Sequence, residues 1–299
     1  MEKRRLGKTD MNVSVLGFGG SEIGYENATR ETVTELLNSA LDAGLNVIDT
    51  AECYHSSEQL IGEAVSHRRK EFYLFTKCGH PHGYGERADW SKDSILESIQ
   101  RSLHRLKTDE VDLVQLHSCP EAELKKAEAI DALQTARERG HTRYIGYSGD
   151  SHAARFAVES GVFDTLQTSI NIADQESIDL TVPLAREKQM GVIAKRPIAN
   201  AAWKTGHRPI DSYHHEYFER LRKLGYDFLE HDLEKSVSIA LRFTLSIPGV
   251  HTAIVGTKNP ARWKENAKLL EAGVLDEAIF NEIRERWEDC APRTWIGQI

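Results

Sequence analysis

Short apolar runs alternate with amphipathic stretches along almost the whole chain. Eight runs have the length and the content of β-branched and aromatic residues that strands favour. They are VSVLGFG from Val13, NVIDT from Asn46, EFYLFTK from Glu71, VDLVQLH from Val111, TRYIGYS from Thr142, FDTLQTSI from Phe163, GVIAKRP from Gly191 and HTAIVGT from His251. The stretches between them indicate helices, as in SILESIQRSLHRL, where one face is kept apolar by Ile95, Ile99, Leu103 and Leu106. The pattern therefore predicts eight strand-helix units.

This alternation predicts one α/β domain over residues 1–299, a (β/α)8 TIM barrel. Near-continuously apolar strands need both faces covered, and strands that alternate with helices form parallel sheets with right-handed crossovers. Eight such units close a barrel. The competing fold is a doubly wound open sheet, but LGFGGSEIG at 16–24 fits the GxGxxG spacing of a dinucleotide-binding turn poorly.

Three segments lie outside the eightfold pattern. RRLGKTDMNVS at 4–14 predicts a short β-hairpin around Gly7 that plugs one end of the barrel. The segment at 199–221 is long for a barrel connection and rich in aromatic residues, so we expect a loop that covers the substrate. LDEAIFNEIRERW at 275–287 predicts an extra C-terminal helix.

Composition and charge narrow the classes of function. The net charge is -8, and no stripe of lysine and arginine interleaved with aromatic residues is present, which disfavours nucleic acid as a partner. No run approaches the about 18 apolar residues of a membrane span, and the N-terminus lacks the apolar core of a secretory signal. We therefore expect a cytoplasmic protein whose partner is a small molecule. An anionic ligand would need a local basic pocket.

Four side chains of complementary chemistry close three consecutive predicted strands. The second strand ends in Asp49 and is followed by Tyr54, the third ends in Lys77, and the fourth ends in His117. Catalytic groups of (β/α)8 enzymes lie at these C-terminal strand ends. We expect Lys77 to lower the pKa of Tyr54, Asp49 to keep Lys77 charged, and His117 to orient a carbonyl oxygen. Each group alone could be structural, but together they predict proton donation to a carbonyl oxygen.

The stretch DTAECYHSSEQLIGEAV from Asp49 resembles the signature of the aldo-keto reductases, and the resemblance covers nearly the whole chain. It implies that Asp49, Tyr54, Lys77 and His117 are the catalytic residues, with Tyr54 as the general acid. It also implies reduction of an aldehyde or ketone to an alcohol by hydride from NADPH, since side chains cannot supply a hydride. Two alternatives stay open, a cofactor-sensing regulatory subunit with little turnover and an enzyme in which Lys77 forms a Schiff base.

The segment VGTKNPARWKENA after the last strand predicts an anion site at a helix start. Asn259 is a favourable N-cap and Pro260 a favourable first helical residue, and the N-terminus of a helix attracts anions. By the resemblance, the residues that hold the adenosine 2′-phosphate and adenine are Thr257, Lys258, Arg262 and Asn266, and Gly256 is a further cofactor-binding position. Arg262 favours NADPH over NADH because a guanidinium can hold a phosphate through two hydrogen bonds. Many family members have Lys in place of Gly256, which removes one phosphate contact here unless Lys258 substitutes.

The resemblance also implies where the rest of the cofactor binds. The candidates are Gly20, Ser148, Gln167, Lys195 and Arg196. Ser148 and Gln167 are expected to hold the nicotinamide carboxamide. Many members end the seventh strand in a Tyr that stacks on the nicotinamide, whereas this chain has Lys195 followed by Arg196. Either Lys195 lays its methylene stem on the ring or one of the two cations binds the diphosphate.

The pocket is expected to be open, because the connection after His117 and the tail after Trp287 are short. The candidate pocket walls are His80, His82, Tyr84, Trp203 and Tyr213.

The cysteines show neither a CxxC pair nor zinc spacing, so we expect reduced thiols and no metal site. Cys53, Cys78 and Cys119 each lie within two residues of a predicted catalytic residue. They form either a redox-sensitive rim or a set of small buried apolar residues.

Overall fold

The computed structural model describes residues 1–81, 83, 87–230 and 232–298. The strands are Lys3–Arg5 (β1), Asn12–Ser14 (β2), Leu16–Gly19 (β3), Val47–Asp49 (β4), Tyr73–Cys78 (β5), Val111–His117 (β6), Thr142–Ser148 (β7), Thr165–Ser169 (β8), Gly191–Lys195 (β9) and Val250–Gly256 (β10). The α-helices are Ser21–Tyr25 (α1), Arg30–Asp42 (α2), Ser57–Val65 (α3), Lys92–Leu106 (α4), Glu121–Leu124 (α5), Glu128–Glu138 (α6), Ser151–Ser160 (α7), Glu176–Leu180 (α8), Val182–Glu187 (α9), His215–Leu224 (α10), Leu233–Ser246 (α11), Arg262–Leu269 (α12) and Glu277–Cys290 (α13).

Strands β3 to β10 form a closed parallel barrel, in which β10 pairs with both β3 and β9. The predicted (β/α)8 fold is therefore confirmed. The register aligns the strand ends that carry the candidate site: His117 pairs with Ser148, Ser148 with Gln167, and Ser169 with Lys195. Because parallel strands end on the same edge, these side chains belong to one mouth of the barrel.

The first predicted strand was too long. The run from Val13 splits into β2, which belongs to the hairpin, and β3, which enters the barrel. Ser14 marks the break, since its hydroxyl donates to the carbonyl of Leu16, two residues along. An apolar run has the same pattern on both sides of such a change in direction, so periodicity cannot detect it.

The predicted hairpin plug is present. β1 and β2 pair antiparallel, and Leu6, Met11 and Val13 pack against strand residues in a separate small core. Gly7 lies in the turn with φ +55°, and a Cβ there would collide with the backbone nitrogen of Gly191 at the start of β9. Only glycine allows so close an approach at this backbone conformation.

The helix after β10 begins later than predicted. Asn259 accepts a hydrogen bond from the N–H of Ala261 through its side chain, but α12 starts at Arg262. Pro260 therefore belongs to the preceding turn and is not the first helical residue. The Asn-Pro pair indicates a chain reversal equally well, because an Asn side chain that bonds the backbone two residues on forms a turn.

Two segments beyond the eight units cover the barrel mouth. The 199–221 insertion forms short 3₁₀ turns at Ala199–Ala201 and Ser212–His214 and then enters α10. The predicted C-terminal helix is α13, and the tail after it returns to the strand ends. There the backbone of Gly297 and Gln298 donates to the carboxylates of Glu176 and Asp174. The short tail therefore contributes to the mouth, contrary to our expectation. None of the helices in the described ranges is long and apolar enough to cross a membrane.

Candidate active site

The structure brings the four predicted catalytic side chains together at the barrel mouth. Lys77 Nζ donates to Asp49 Oδ2 and, at 2.9 Å, to the carbonyl of Thr50. The side chains of Lys77 and Asp49 are 2% and 1% exposed, so this is a buried ion pair. Burial alone disfavours both charges, and their contact is what allows them to coexist. Burial raises the pKa of Asp49, against the opposing effect of Lys77.

Tyr54 lies beside Lys77 and His117. Its ring centroid is 5.1 Å from Lys77 Nζ and 5.6 Å from the centroid of the His117 ring, which meets it edge-on. The residue is partly exposed, and its hydroxyl makes no hydrogen bond to any of the described residues. An accessible phenol O–H beside an ammonium and an imidazole is therefore available to an incoming molecule.

One electrostatic expectation was wrong. Burial raises the pKa of Tyr54 well above 10, and the carboxylate of Asp49 adds to the rise. The net shift is upward even though Lys77 Nζ lies 5.1 Å from the ring, and the charge of this ammonium is largely balanced by its partner Asp49. The phenol therefore keeps its proton throughout the neutral range, as a proton donor must.

His117 is neutral in this environment. Burial lowers its pKa well below 6.5, and the charge of Lys77 adds to this effect. Its Nδ1 lies 3.4 Å from the Sγ of Cys53, and its ring packs edge-on against His80 at 5.5 Å between centroids. A neutral imidazole carries one N–H, so the partner of Nδ1 bears on which nitrogen holds the proton.

Ser148 and Gln167 connect to the same carboxylate. Ser148 donates to Gln167 Oε1 at 2.8 Å, and Gln167 Nε2 donates to Asp49 Oδ1 at 3.0 Å. Both side chains are buried. The two residues predicted to bind the nicotinamide carboxamide are therefore held in place by hydrogen bonds that end at Asp49. Gly20 also lies at this mouth of the barrel, since its N–H donates to the carbonyl of Asp49 at 2.7 Å.

Lys195 is already paired. Its Nζ lies 2.7 Å from Asp150 Oδ2, and Asp150 is completely buried at the start of α7. Burial would raise the pKa of Asp150, but Lys195 and Arg196 hold it below its ordinary value. This contact favours neither of the roles that we expected for Lys195. Arg196 instead bonds to Tyr213, Ser169 and the carbonyl of Gln298.

The predicted anion site lies at the start of α12. Thr257 and Asn266 are buried, whereas Lys258 and Arg262 are about half exposed. Both cations have carboxylate partners: Lys258 Nζ is 2.7 Å from Glu26, and Arg262 Nη1 is 3.3 Å from Glu265. The site thus supplies cationic and N–H donors, but a phosphate there would compete with carboxylates.

Glu22 occupies the space beside Gly256. A Cβ on Gly256 would lie 3.1 Å from Glu22 Oε1, so a longer side chain would meet this carboxylate. Burial raises the pKa of Glu22, and the neighbouring Glu26 adds to the rise. The absence of a lysine at position 256 is therefore accompanied by two carboxylates, Glu22 on α1 and Glu26 directly after this helix.

Of the residues predicted to line the pocket, two contact residues of the site and one packs in the core. His80 donates from Nε2 to the carbonyl of His117 at 2.8 Å, and the hydroxyl of Tyr213 accepts a hydrogen bond from Arg196. Trp203 packs against the main core and donates to Ser236. His82 and Tyr84 lie outside the described residues.

The thiols beside the site are buried. Burial raises the pKa of Cys53 to about 12 and raises the pKa values of Cys78 and Cys119 as well. Thiols with raised pKa values react slowly with oxidants. The environment therefore favours small buried residues over a redox-sensitive rim.

Comparison with known proteins supports one assignment. The model of the Aldo/keto reductase family matches residues 15–288. The chain belongs to the aldo-keto reductase family. Family membership makes it an oxidoreductase.

Individual relatives match this chain over nearly its whole length. The uncharacterized oxidoreductase YqkF of Bacillus subtilis is 29% identical over 93% of this chain and 94% of its own length. L-galactose dehydrogenase of Arabidopsis thaliana is 27% identical over 100% of this chain and 98% of its own. The aldo-keto reductase AKR11C1 from Bacillus halodurans, in its holo form, superimposes with a TM-score of 0.84 at 26% identity, covering 98% of this chain and 99% of that one.

Sequence reasoning missed three contacts that shape this aldo-keto reductase site. Asp150 pairs with Lys195, Glu22 lies against Gly256, and Cys53 contacts His117. Asp150 did carry a signal, since it is an acidic residue two positions after the end of β7. Nothing in the pattern around Glu22 or Cys53 indicates their contacts, which join residues far apart in the chain.

Proposed function

We propose that this chain is an NADPH-dependent oxidoreductase that reduces aldehydes or ketones to alcohols, with Tyr54 as the general acid. The observation that carries the proposal is the accessible hydroxyl of Tyr54, which lies beside Lys77 and His117 and bonds to none of the described residues. Asp49, Lys77 and His117 assist it. Family membership supports the reaction class.

The residues at the mouth fit a nicotinamide cofactor. Asn200, in the loop after β9, has a buried Nδ2 without a hydrogen-bond partner among the described residues, as an unliganded donor would. Arg262 and Lys258 have the charge for a 2′-phosphate, with Thr257, Asn266 and the glycine backbone at 256 beside them. Ser148 and Gln167 offer a hydroxyl and an amide for the nicotinamide carboxamide. When bound, the nicotinamide supplies the hydride.

The side chains of the site account for the proton. As the carbonyl carbon accepts a hydride, its oxygen gains charge, and Tyr54 donates its phenolic proton to that oxygen. Lys77 lies 5.1 Å from the Tyr54 ring and stabilises the phenolate that remains. Asp49 keeps Lys77 protonated. Neutral His117 can donate one N–H to the same oxygen and so orient it.

The test compares the native chain with Tyr54→Phe. We expect NADPH oxidation with a reactive aromatic aldehyde to fall by about 10²- to 10⁴-fold in Tyr54→Phe, because proton donation is lost. The affinity for NADPH, measured by fluorescence titration, should stay the same. Tyr144→Phe is the matched control, since its hydroxyl bonds to Asp10 at the hairpin. Equal rates in native and Tyr54→Phe protein would remove Tyr54 from the mechanism.

The alternatives have separate signatures. A cofactor-sensing subunit would bind NADPH tightly and turn over no aldehyde. A Schiff-base enzyme would be trapped covalently by borohydride at Lys77. The second is disfavoured because Asp49 holds Lys77 as a buried ammonium, whereas a Schiff base needs a neutral amine.

A further inference from the structure

Lys195 ends the seventh barrel strand and Arg196 follows it, and among the described residues only Lys195 has an ion-pair partner. Lys195 forms an ion pair with Asp150 at 2.7 Å. The remaining hydrogen bonds of Asp150 come from Thr168 and from the N–H and hydroxyl of Ser169. No carboxylate lies within 4.0 Å of the Arg196 guanidinium in the described parts of the chain. Arg196 therefore carries a positive charge that no neighbouring carboxylate contacts.

The hydrogen bonds of Arg196 all go to neutral acceptors. Nε donates to the hydroxyl of Tyr213 at 2.7 Å, and Nη1 donates to Ser169 Oγ at 3.0 Å and to the carbonyl of Gln298. Nη2 has no acceptor among the described residues, and it is not fully buried. One N–H₂ edge of the guanidinium is therefore open to a ligand.

The charge of Arg196 acts on the candidate acid and on its neighbour His117. Burial raises the pKa of Tyr54, and the charge of Arg196 opposes that rise. Burial lowers the pKa of His117, and Arg196 contributes to that effect. Tyr213, whose hydroxyl accepts from Arg196, also acts on Tyr54. The guanidinium is thus within electrostatic reach of both groups proposed to contact the carbonyl oxygen.

We propose that Arg196 binds a carboxylate of the substrate, so that the preferred substrates are aldehydes or ketones that carry a carboxylate group. The proposal rests on the proposed carbonyl reduction and adds its substrate class. The other charges around the reacting groups form the pairs Asp49–Lys77 and Asp150–Lys195, whereas Arg196 contacts no carboxylate in the described part of the chain. In a chain of net charge -8, this guanidinium supplies the local basic pocket that an anionic substrate needs.

A substrate carboxylate fits this position better than the cofactor diphosphate. Two partners of Arg196 come from segments outside the eight strand-helix units: Tyr213 from the 199–221 insertion and Gln298 from the C-terminal tail. These segments cover the mouth, where a substrate enters. Tyr213 is 55% exposed, and the guanidinium carbon lies 5.3 Å from its ring centroid. An aromatic ring and an open guanidinium edge suit an organic carboxylate.

The experiment compares two aldehydes of nearly equal shape, 4-carboxybenzaldehyde and the uncharged 4-formylbenzamide, with NADPH as the reductant. A hydrogen bond between charged partners predicts a kcat/KM preference of about 10- to 100-fold for the carboxylate in the native chain. Arg196→Gln should abolish that preference and leave the affinity for NADPH unchanged. Arg196→Lys should keep part of it. The control is Arg155→Gln, which removes an exposed guanidinium on α7 and should keep the full preference.

Each result decides the proposal. Equal kcat/KM values for the two aldehydes in the native chain would overturn it, and this measurement does not depend on whether Arg196→Gln folds. Weaker NADPH binding in Arg196→Gln, with equal losses for both aldehydes, would assign Arg196 to the diphosphate and also overturn it.

Failure of the proposed function would look different, since the native chain would reduce neither aldehyde. In that case titration calorimetry of the native chain with NADP⁺ present still decides the role of Arg196. The probes are 4-(hydroxymethyl)benzoate and 4-(hydroxymethyl)benzamide. Tighter binding of the benzoate supports the proposal, and equal binding refutes it.

Discussion

The Sγ atom of Cys53 lies 3.4 Å from Nδ1 of His117, so a buried thiol contacts the imidazole beside the free phenol of Tyr54. Burial raises the pKa of Cys53 to about 12 and lowers that of His117, so both groups are neutral at pH 7. If the S–H donates to Nδ1, the imidazole proton is on Nε2 and can reach a carbonyl oxygen. If Nδ1–H donates to sulfur, Nε2 has no proton to donate to that oxygen.

We expect Cys53→Val to lower kcat about fivefold with little change in KM, since one modest hydrogen bond holds the tautomer. The ¹⁵N shifts of His117 should show the proton on Nε2 in the native chain and a mixture of tautomers in Cys53→Val. Cys119→Val is the matched control, because that buried thiol contacts the carbonyl of Pro120. An unchanged tautomer and an unchanged kcat in Cys53→Val would show that the thiol does not position His117.

The buried pair of Lys77 and Asp49 makes a prediction about stability and pH. Lys77→Met leaves the Asp49 carboxylate buried without its partner, and we expect a loss of roughly 3–5 kcal/mol in the free energy of unfolding at pH 8. Burial raises the pKa of Asp49, so the folded variant takes up a proton that the unfolded chain, with a pKa near 3.9, does not hold at pH 5. The destabilisation should therefore shrink as the pH falls from 8 to 5.

Urea denaturation at both pH values measures this effect. The control is the double variant Asp49→Asn/Lys77→Met, which has no buried charge at this position and should lose less stability than the sum of the two single variants. A loss in Lys77→Met that is the same at pH 5 and pH 8 would contradict the prediction.

The ion pair of Lys258 with Glu26 predicts an effect on cofactor preference. Both groups are about half exposed, so the pair is weak, yet it occupies the lysine proposed for the 2′-phosphate. We expect Glu26→Gln to lower the Kd for NADPH about two- to fivefold without changing that for NADH. The gain should shrink at high salt.

Fluorescence titration with each cofactor tests this directly. Glu159→Gln, which breaks an exposed pair with Arg155 on α7, should change neither Kd. If Glu26→Gln changes the affinities for NADPH and NADH equally, Lys258 does not contact the 2′-phosphate.

The close approach of the hairpin turn to the barrel predicts different costs for two glycine substitutions. Gly7 and Gly140 both have positive φ, but a Cβ on Gly7 would lie 2.5 Å from the carbonyl of Gln189, whereas nothing lies within 4 Å of one on Gly140. Gly140→Ala should cost about 1–2 kcal/mol from backbone conformation alone. Gly7→Ala should cost at least about 3 kcal/mol, since the plug must also shift. Similar denaturation midpoints for the two variants would show that the plug moves freely.

The local pattern predicted the elements better than their ends. The eight strands and the helix over Lys92–Leu106 are present, because apolar periodicity reflects which faces a barrel buries. Two predicted boundaries were wrong: the strand from Val13 is split into β2 and β3, and α12 starts later than expected. Both boundaries lie next to a change in chain direction. Turns and helix starts use the same short polar side chains, so Asn259 could not distinguish between them.

The sequence by itself determined the barrel, the plug and the convergence of Asp49, Tyr54, Lys77 and His117 on one mouth, since each of these follows from where an element ends. Only the tertiary structure decided which charges pair. Lys195 forms an ion pair with Asp150, and Lys258 forms one with Glu26. Arg196 contacts no carboxylate in the described part of the chain. The reason is that the energy of a charge depends on burial and on neighbours a few ångströms away, and these neighbours come from distant parts of the chain.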